Sequence, residues 1–350
     1  MAPRRPNPPG RTPVPQGSPT RAAVLSAGSW GTAVAKIMAD AGTDVILHAR
    51  RADIADAISR EHRNPGYFPD LDLPATLTAT TDAAEAVNGA DLVVLSIPAQ
   101  ALREGLAAWA PHLGRESVIV SLMKGVERGT DLRASQVITE VTGLPAQRVA
   151  VLSGPNLARE IMTGRPAAAT IACPDEDTAV RIQQACHTTY FRPYTSTDVI
   201  GCELGGATKN VIALAVGIAS GMRLGHNAEA VLITRGLAET TRLAVAMGAQ
   251  PETLAGLAGL GDLVATCSSP LSRNRTFGRL LGRGLSVDEA TAETRQTTEG
   301  VKSAQAILGL AHAHGIDMPI TEAVTHLLTG KVTIQEAVAM LMQRPPKPEH

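Results

Sequence analysis

The chain has 350 residues, of which 44% are hydrophobic and only 2% aromatic, and its formal net charge is −1. This length allows about two domains with a sizeable buried core. The near-neutral charge and scarce aromatic residues exclude an electrostatic binder of nucleic acid or acidic membranes, and a base-stacking platform. Its four cysteines stand far apart with no zinc spacing, so we expect free thiols in a reducing cytoplasm and no metal site.

The first twenty residues form a segment of their own. Met1 to Thr20 are mainly Pro, Gly, Arg and small polar residues, and no acidic residue precedes Asp40. They lack the apolar region of a secretory signal, and no apolar run in the chain reaches the ~18 residues that span a bilayer. We expect a disordered basic tail over residues 1–20, outside the fold; the alternative is a docking tail.

A dinucleotide-binding pattern follows. The sequence predicts a strand over 21–25, a glycine-rich turn over 26–31, a helix over 29–41 that Gly42 ends, and a strand over 44–49. Strand, turn, helix and strand in this order are typical of a unit that holds a pyrophosphate on the helix N-terminus.

The glycine-rich turn has two of the three glycines of the G-x-G-x-x-G fingerprint. Gly28 would let the backbone approach the pyrophosphate, and Gly31 would let helix and strand pack closely. Ser26 stands where the third glycine is expected. A serine forced to positive φ costs about 1–2 kcal/mol, on the order of tenfold in cofactor affinity, whereas a turn with negative φ costs less. The sequence leaves both conformations open.

Two arginines, Arg50 and Arg51, follow the second strand. An NAD-selective site usually has an acidic residue here for the ribose 2′-hydroxyl, whereas arginine suits the 2′-phosphate of NADP. We therefore predict that NADP(H) is used, alone or alongside NAD(H). The alternative is a pair of solvated surface arginines.

The alternation of strands and helices continues to about residue 195. Near-continuous apolar runs of this kind suit a parallel sheet covered on both faces. Ligands of such sheets bind outside the carboxyl ends of the strands, where Lys124, Gly154 and Asn156 fall. The further predicted strands cover 91–97, 117–122, 148–153, 167–173 and 189–195.

From about residue 196 only helical patterns remain. We predict an α/β fold: a Rossmann-like dinucleotide-binding domain over 21–195 and an all-helical substrate domain over 196–350, with a small-molecule site in the cleft between them. The predicted helices cover 199–222, 227–247, 251–258, 272–282, 287–293, 299–314, 319–328 and 333–343.

Lys209 lies in a long apolar helix, Glu203 to Met222. Its neighbours on the same face, such as Gly205, Ile212 and Val216, are small or apolar. A cation there is costly unless it reaches solvent, forms a pair or lowers its pKa. The pattern therefore leaves two interpretations, a lysine that extends to solvent and a catalytic lysine.

Two later stretches carry polar groups in unusual places. Asp262 stands in what we predict to be a glycine-rich apolar turn, either paired with Lys209 or as a helix cap. The next helix opens with Ser272, Arg273 and Asn274, which form either an anion site at a helix N-terminus or a solvated basic helix start.

Long segments of the chain, between Arg21 and the C-terminus, carry a recognisable family pattern. They include AGSWGTAVA (27–35), SLMKGVE (121–127), SGPNLAREI (153–161), ELGGATKNVIALAVGI (203–218), GLGDLVATC (259–267) and SRNRTFGRLLGRG (272–284). In these segments the chain resembles the soluble, biosynthetic NAD(P)-dependent glycerol-3-phosphate dehydrogenases of bacteria. The family pattern has glycine in place of Ser26 and often an aliphatic residue near Thr297.

The resemblance implies reduction of dihydroxyacetone phosphate to sn-glycerol 3-phosphate for phospholipid synthesis, by a homodimer. From the composition and the lack of a long apolar run we expect a cytoplasmic protein that neither binds nucleic acid nor inserts stably into membranes. Lys209 would exchange the proton at the C2 oxygen, Asp262 would hold its amine, and Lys124 would stabilise oxyanion charge. The matching substrate positions are Lys124, Gly154, Asn156, Lys209, Asp262, Ser272, Arg273 and Asn274. The cofactor positions are Ser29, Trp30, Arg50, Arg51, Lys124, Ala158, Arg273, Thr297 and Glu299, beside Gly28 and Gly31 of the turn.

Three alternatives stay open at this point. A related dehydrogenase could act on another 2-hydroxy or 3-hydroxy acid, although the anion site favours a phosphate. A non-catalytic paralogue that only binds the nucleotide would explain Ser26. A purely structural α/β protein does not account for Lys209, Asp262 and the anion site together.

Overall fold

The computed structural model describes residues 20–294, 298–346 and 348. The tail over residues 1–19 and Thr297, which we predicted to contact the cofactor, lie outside the described residues.

Ten strands are present in the described residues, and eight of them form one sheet. Their bounds are β1 Arg21–Leu25, β2 Asp44–His48, β3 Arg63–Asn64, β4 Phe68–Asp72, β5 Thr78–Thr80, β6 Leu92–Leu95, β7 Val118–Ser121, β8 Val149–Ser153, β9 Ala167–Ala172 and β10 Phe191–Ser196. The order in the sheet is β10-β9-β8-β7-β6-β1-β2-β5, while β3 and β4 pair separately as an antiparallel hairpin.

The predicted strands are confirmed within about two residues, but the sheet differs from the prediction in two ways. β9 runs antiparallel to β8, whereas the other neighbouring pairs in the described sheet are parallel. The sequence analysis also missed β3, β4 and β5. These strands are short or largely exposed, so they lack the continuous apolar run that marks a buried strand.

The sheet is covered by helices on both faces. β1 shows this arrangement, because Ala22 and Val24 belong to one apolar cluster while Ala23 and Leu25 belong to another. The helices of this part are α1 Ser29–Asp40, α2 Ala52–Asp56, α3 Ala83–Val87, α4 Leu102–Trp109, α5 Ala134–Thr142, α6 Ala158–Met162 and α7 Glu176–Cys186.

After β10 the described chain is helical. The helices are α8 Val199–Gly221, α9 His226–Ala246, α10 Pro251–Ala255, α11 Asp262–Ser268, α12 Arg273–Gly282, α13 Val287–Thr294, α14 Glu299–Ala313, α15 Pro319–Leu328 and α16 Ile334–Met342. α8 is the central element, since α9, α11, α12 and α14 all pack on it. It is also the one described helix long and apolar enough to cross a membrane, but 89% of its most apolar window is buried inside the protein, as expected of a core helix.

The helices before α12 differ from those that the sequence predicted. The helix predicted over 251–258 is divided into α10 and a π-helical turn, Leu257–Gly261, and Asp262 begins α11 instead of lying in a loop. The prediction of a turn rested on the glycines before Asp262, such as Gly259 and Gly261. A Cβ atom on Gly259 would lie 2.1 Å from the Leu254 carbonyl oxygen, so this glycine permits close packing of helical turns and does not mark a loop.

Candidate active site

Lys209 is buried in α8 and paired. Only 8% of the residue is exposed, so the side chain does not extend to solvent. Its Nζ donates to Asp262 Oδ1 at 2.5 Å and to Thr266 Oγ1 at 2.8 Å. The predicted pairing with Asp262 is therefore confirmed, and the alternative of Asp262 as a helix cap is wrong, because the residue at the α11 N-cap is Gly261.

Lys124 brings the nucleotide-binding part of the chain to the same carboxylate. It follows β7, and its Nζ donates to Asp262 Oδ2 at 2.7 Å and to the Gly154 carbonyl oxygen at 3.0 Å. Asp262, 1% exposed, thus bridges two cations from different parts of the chain. The cluster lies where the carboxyl ends of β7 and β8 meet the helical part, as the sequence predicted for a small-molecule site.

The pKa of Lys209 is lowered from 10.5 to about 8. Burial is the largest cause, because it disfavours the charged amine; the Asp262 carboxylate acts in the opposite direction, and the Lys124 charge lowers the pKa further. An amine that titrates near working pH is suited to general acid–base catalysis.

Two residues that the sequence analysis missed complete the cluster. Thr266 lies one turn after Asp262 on α11 and accepts from Lys209, a relation that could be recognised only once α11 was known to be a helix. Asn210, next to Lys209, donates to the Lys124 carbonyl oxygen at 3.0 Å and accepts from Asn274 Nδ2 at 2.9 Å. Asn210 therefore joins α8 to both the Lys124 loop and α12.

The start of α12 lies beside this network. Ser272 and Asn274 are buried, whereas Arg273 is exposed, so the helix start is not simply a solvated basic one. Ser272 Oγ caps the helix by accepting from the Arg275 backbone N–H at 3.3 Å, and Asn274 Oδ1 accepts from the Gly300 N–H at 3.0 Å. One N–H of the Asn274 amide bonds to Asn210, which leaves the second without a bonded partner among the described residues.

Several buried polar atoms nearby have no partner in the described part of the chain. Buried polar atoms in native proteins are nearly always hydrogen-bonded to protein or to ordered water, so each of these needs a partner that the described residues do not supply. The unpartnered atoms are Ser153 Oγ, Asn156 Oδ1, Glu299 Oε2 and Ser303 Oγ.

Gly154 has φ +151°, and a Cβ atom there would lie 2.9 Å from the Ala169 Cα, so the tight backbone that precedes Asn156 requires glycine.

Glu299 lies against the loop that carries Lys124. A Cβ atom on Gly125 would lie 3.1 Å from Glu299 Oε2 and 2.8 Å from Ser303 Oγ. Burial raises the pKa of Glu299, while the charges of Lys302 and Arg273 lower it. The structure therefore brings the predicted cofactor residue Glu299 to the same loop as Lys124.

The glycine-rich turn adopts the more costly of the two conformations considered above. Ser26 has φ +101°, which costs a non-glycine residue on the order of 1–3 kcal/mol. A Cβ atom on Gly31 would lie 2.1 Å from the Ser26 carbonyl oxygen, so only glycine permits this contact. The predicted close packing at Gly31 is confirmed.

The turn fits a dinucleotide. Gly28, the α1 N-cap, provides no side-chain cap, so the amides of Ser29 and its neighbours are available to phosphates. Trp30 Nε1 is a buried donor without a partner among the described residues. Ala158 begins α6 and packs half-buried against the apolar cluster that contains α1.

Both arginines after β2 are exposed. Arg51 forms a bidentate pair with Asp53, and no ion pair involves Arg50 among the described residues. This arrangement fits a 2′-phosphate site and a solvated pair equally well.

An apolar cavity in the helical part shares no residue with the lysine cluster. It has a volume of about 530 Å³ and lies between α8, α9, α15 and α16. Its lining includes Leu224, Val231 and Met342, which are exposed. It lacks the convergent lysines and carboxylate of the Asp262 cluster, so we place the candidate active site at that cluster and not in this cavity.

Comparisons with known proteins show which family the chain belongs to. The chain matches the family models for the N-terminus and C-terminus of NAD-dependent glycerol-3-phosphate dehydrogenase over residues 21–179 and 198–339. It is 61% identical over 331 residues to the glycerol-3-phosphate dehydrogenase [NAD(P)+] of Streptomyces griseus, covering 95% of this chain and 98% of the relative. The corresponding protein of Thermobifida fusca is 62% identical, with 94% and 98% coverage.

Solved structures show the same relation. A crystal structure of glycerol-3-phosphate dehydrogenase from Coxiella burnetii superposes with a TM-score of 0.87 at 37% identity, covering 93% of this chain and 99% of that one. Together with the matched models, this shows that the chain belongs to the NAD-dependent glycerol-3-phosphate dehydrogenase family.

Proposed function

We propose that the chain reduces dihydroxyacetone phosphate to sn-glycerol 3-phosphate with NAD(P)H and so supplies glycerophospholipid synthesis. The observation that carries this proposal is the Lys209–Asp262–Lys124 cluster, in which Lys209 and Asp262 are buried and Lys124 is partly buried. It lies where the dinucleotide-binding sheet meets the helical part. Family membership and the NAD(P)-dependent relatives support the same activity.

Lys209 is the proton donor in this proposal. NAD(P)H, when bound at the glycine-rich turn, supplies the hydride that C2 of the substrate receives. Lys209 gives a proton to the oxygen that develops negative charge on C2, and Asp262 and Thr266 hold the amine through two of its three N–H groups. The third N–H remains for the substrate oxygen.

Lys124 and the start of α12 position the substrate. The Lys124 ammonium stabilises oxyanion charge from the sheet side of the cluster. Ser272, Arg273 and Asn274 bind the phosphate, whose binding energy orients C2 toward Lys209. Gly154 and Asn156 complete the substrate pocket, and the unpartnered Asn156 Oδ1 supports this role because it can accept from a substrate hydroxyl.

The cofactor site extends from the glycine-rich turn toward Lys124. Ser29 and Trp30 bind the pyrophosphate region, and Arg50 and Arg51 bind the 2′-phosphate when NADP(H) is used. Ala158, Thr297 and Glu299 are the remaining residues that we assign to cofactor contact. The division into a cofactor domain over 21–195 and a substrate domain over 196–350 belongs to the same proposal, supported by the change from sheet to helices after Ser196.

We further propose a cytoplasmic homodimer without stable membrane insertion. The burial of α8 inside the protein supports the absence of insertion. Exposed apolar side chains such as Val231 and Met342 support self-association. Sedimentation equilibrium of the purified chain tests the dimer, and a single species of monomer mass would exclude it.

The decisive experiment follows NADPH absorbance with purified protein and dihydroxyacetone phosphate, and is then repeated with NADH. Rapid oxidation of either cofactor supports the activity, and a preference for NADH of tenfold or more in kcat/KM would contradict the role of the two arginines. A panel of 2-hydroxy and 3-hydroxy acids, assayed in the oxidation direction, tests the related-dehydrogenase alternative. NADPH binding without turnover on any substrate would favour the non-catalytic alternative.

A further inference from the structure

The strained serine of the glycine-rich turn has a specific buried neighbour, Asn64. This residue ends β3, in the hairpin that the sequence analysis did not predict, and it is 0% exposed. Its Nδ2 donates to the Ala27 carbonyl oxygen at 3.0 Å and to Thr32 Oγ1 at 2.8 Å. Ala27 directly follows Ser26, and Thr32 lies in the first turn of α1, so one amide group spans the turn.

The orientation of the Asn64 amide is fixed by its other side. The backbone N–H of Gly66 donates to Asn64 Oδ1 at 3.1 Å. A backbone N–H can only donate, so the oxygen of the amide faces Gly66 and its nitrogen faces the turn. The backbone of the hairpin is held in turn by the Tyr67 N–H, which donates to the Asn64 carbonyl oxygen at 3.2 Å.

Ser26 needs such support. A non-glycine residue at φ +101° persists only where the surroundings determine its conformation, because the chain would otherwise relax. The bond to the Ala27 carbonyl fixes the Ala27–Gly28 peptide, the second peptide after Ser26, and the bond to the Thr32 hydroxyl fixes that peptide relative to α1. Glycine at position 26 would adopt this conformation without strain and would depend less on the two hydrogen bonds from Asn64.

We infer that Asn64 is a positioning residue that holds the strained Ser26 turn in the shape required for dinucleotide binding. This inference rests on the cofactor role proposed for the turn. Asn64 acts through the backbone of residues 26–32 and takes no part in the chemistry at Lys209.

A double-mutant cycle between positions 26 and 64 tests the inference. The full chain is compared with Asn64→Ala, Ser26→Gly and the double variant, and the dissociation constant of NADPH is measured by fluorescence titration. Asn64→Ala is expected to raise the constant about tenfold in the wild-type background but no more than about threefold in the Ser26→Gly background. Asn88→Ala is the matched control. Asn88 is exposed and lies outside both the turn and the β3–β4 hairpin, so this variant should leave the dissociation constant of NADPH unchanged.

Kinetics and stability give independent outcomes. KM for NADPH should rise in Asn64→Ala while kcat at saturating NADPH changes less than about twofold, since the turn positions the cofactor and not the proton donor. In the protein without cofactor, Ser26→Gly should raise the midpoint of thermal unfolding more in the wild-type background than in the Asn64→Ala background.

The results separate this inference from the proposed function. If the wild-type protein binds neither NADPH nor NADH, the cofactor role of the turn fails, and the unfolding midpoints alone still decide whether Asn64 supports Ser26. An equal loss of affinity in both backgrounds, or equal effects of Ser26→Gly on the midpoint, would overturn the role of Asn64.

Discussion

Lys124 and Lys209 share one carboxylate, with Lys124 Nζ 2.7 Å from Asp262 Oδ2 and Lys209 Nζ 2.5 Å from Asp262 Oδ1. A buried cation, Lys209, beside the partly buried Lys124 would be costly without a counter-ion, because burial removes hydration from both amines. The carboxylate compensates them only in part, as the lowered pKa of Lys209 shows. This partial compensation makes Lys209 suitable as a proton donor near neutral pH.

Replacing Lys209 by alanine should lower kcat for dihydroxyacetone phosphate reduction by about two orders of magnitude or more, because the variant loses the proposed proton donor to the C2 oxygen. Absorbance of NADPH at saturating substrate measures the effect, and far-UV circular dichroism checks that the fold is intact. Lys331→Ala, which removes an exposed lysine, should retain wild-type kcat. A Lys209→Ala enzyme with more than half of the wild-type kcat would falsify the proposed role.

The Asp262→Asn variant should shift the pH dependence of kcat. Reduction requires protonated Lys209, so kcat falls as pH rises through the pKa of this lysine, which is about 8 in the wild-type protein. The Asp262 charge raises that pKa, and its removal should move the fall to lower pH by on the order of one unit. An unchanged pH profile would show that Lys209 does not limit the rate in this range.

The role of Thr266 depends on its hydroxyl. Thr266→Val keeps the shape of the side chain but removes the acceptor for Lys209, and we expect kcat to fall about tenfold. Thr266→Ser keeps an acceptor on the same helix face and should retain most of the activity. Equal activities in the serine and valine variants would mean that the hydroxyl does not orient the amine.

The sequence predicted those parts of the fold whose burial leaves a clear pattern. The strands β6, β7 and β8 are buried along their whole length, and their continuous apolar residues made them recognisable in the sequence. The β3–β4 hairpin could not be recognised in this way, because it is short and mostly exposed. Its main contribution, the contact between Asn64 and the turn, joins residues far apart in the chain.

The candidate site was predictable where a residue was out of place in its surroundings. Lys209 and Asp262 each stand among small or apolar residues, and each needed a partner, so their pairing could be inferred. Thr266 and Asn210 gave no such indication, because a threonine or an asparagine in a helix is ordinary and its partner depends on how α8, α11 and α12 pack. The conformation of Ser26 likewise could not be predicted, because its neighbour Asn64 comes from a distant part of the chain that only the structure brings to the turn.

Lys209 should also make the protein less stable at neutral pH than a variant without it. Its pKa in the folded protein, about 8, lies below the ordinary value of 10.5. The unfolded chain therefore binds more protons than the folded protein between these pH values, and the free energy of unfolding rises with pH across this window. Below the window the cost of the buried charge is fully present.

We expect Lys209→Met to have a higher midpoint of thermal unfolding than the wild-type protein at pH 7, and this difference should shrink as pH rises through the window. Lys331→Met, at an exposed position, should follow the wild-type curve at every pH. A difference between Lys209→Met and the wild-type protein that stays constant with pH would mean that the charge on Lys209 carries no cost in the folded state.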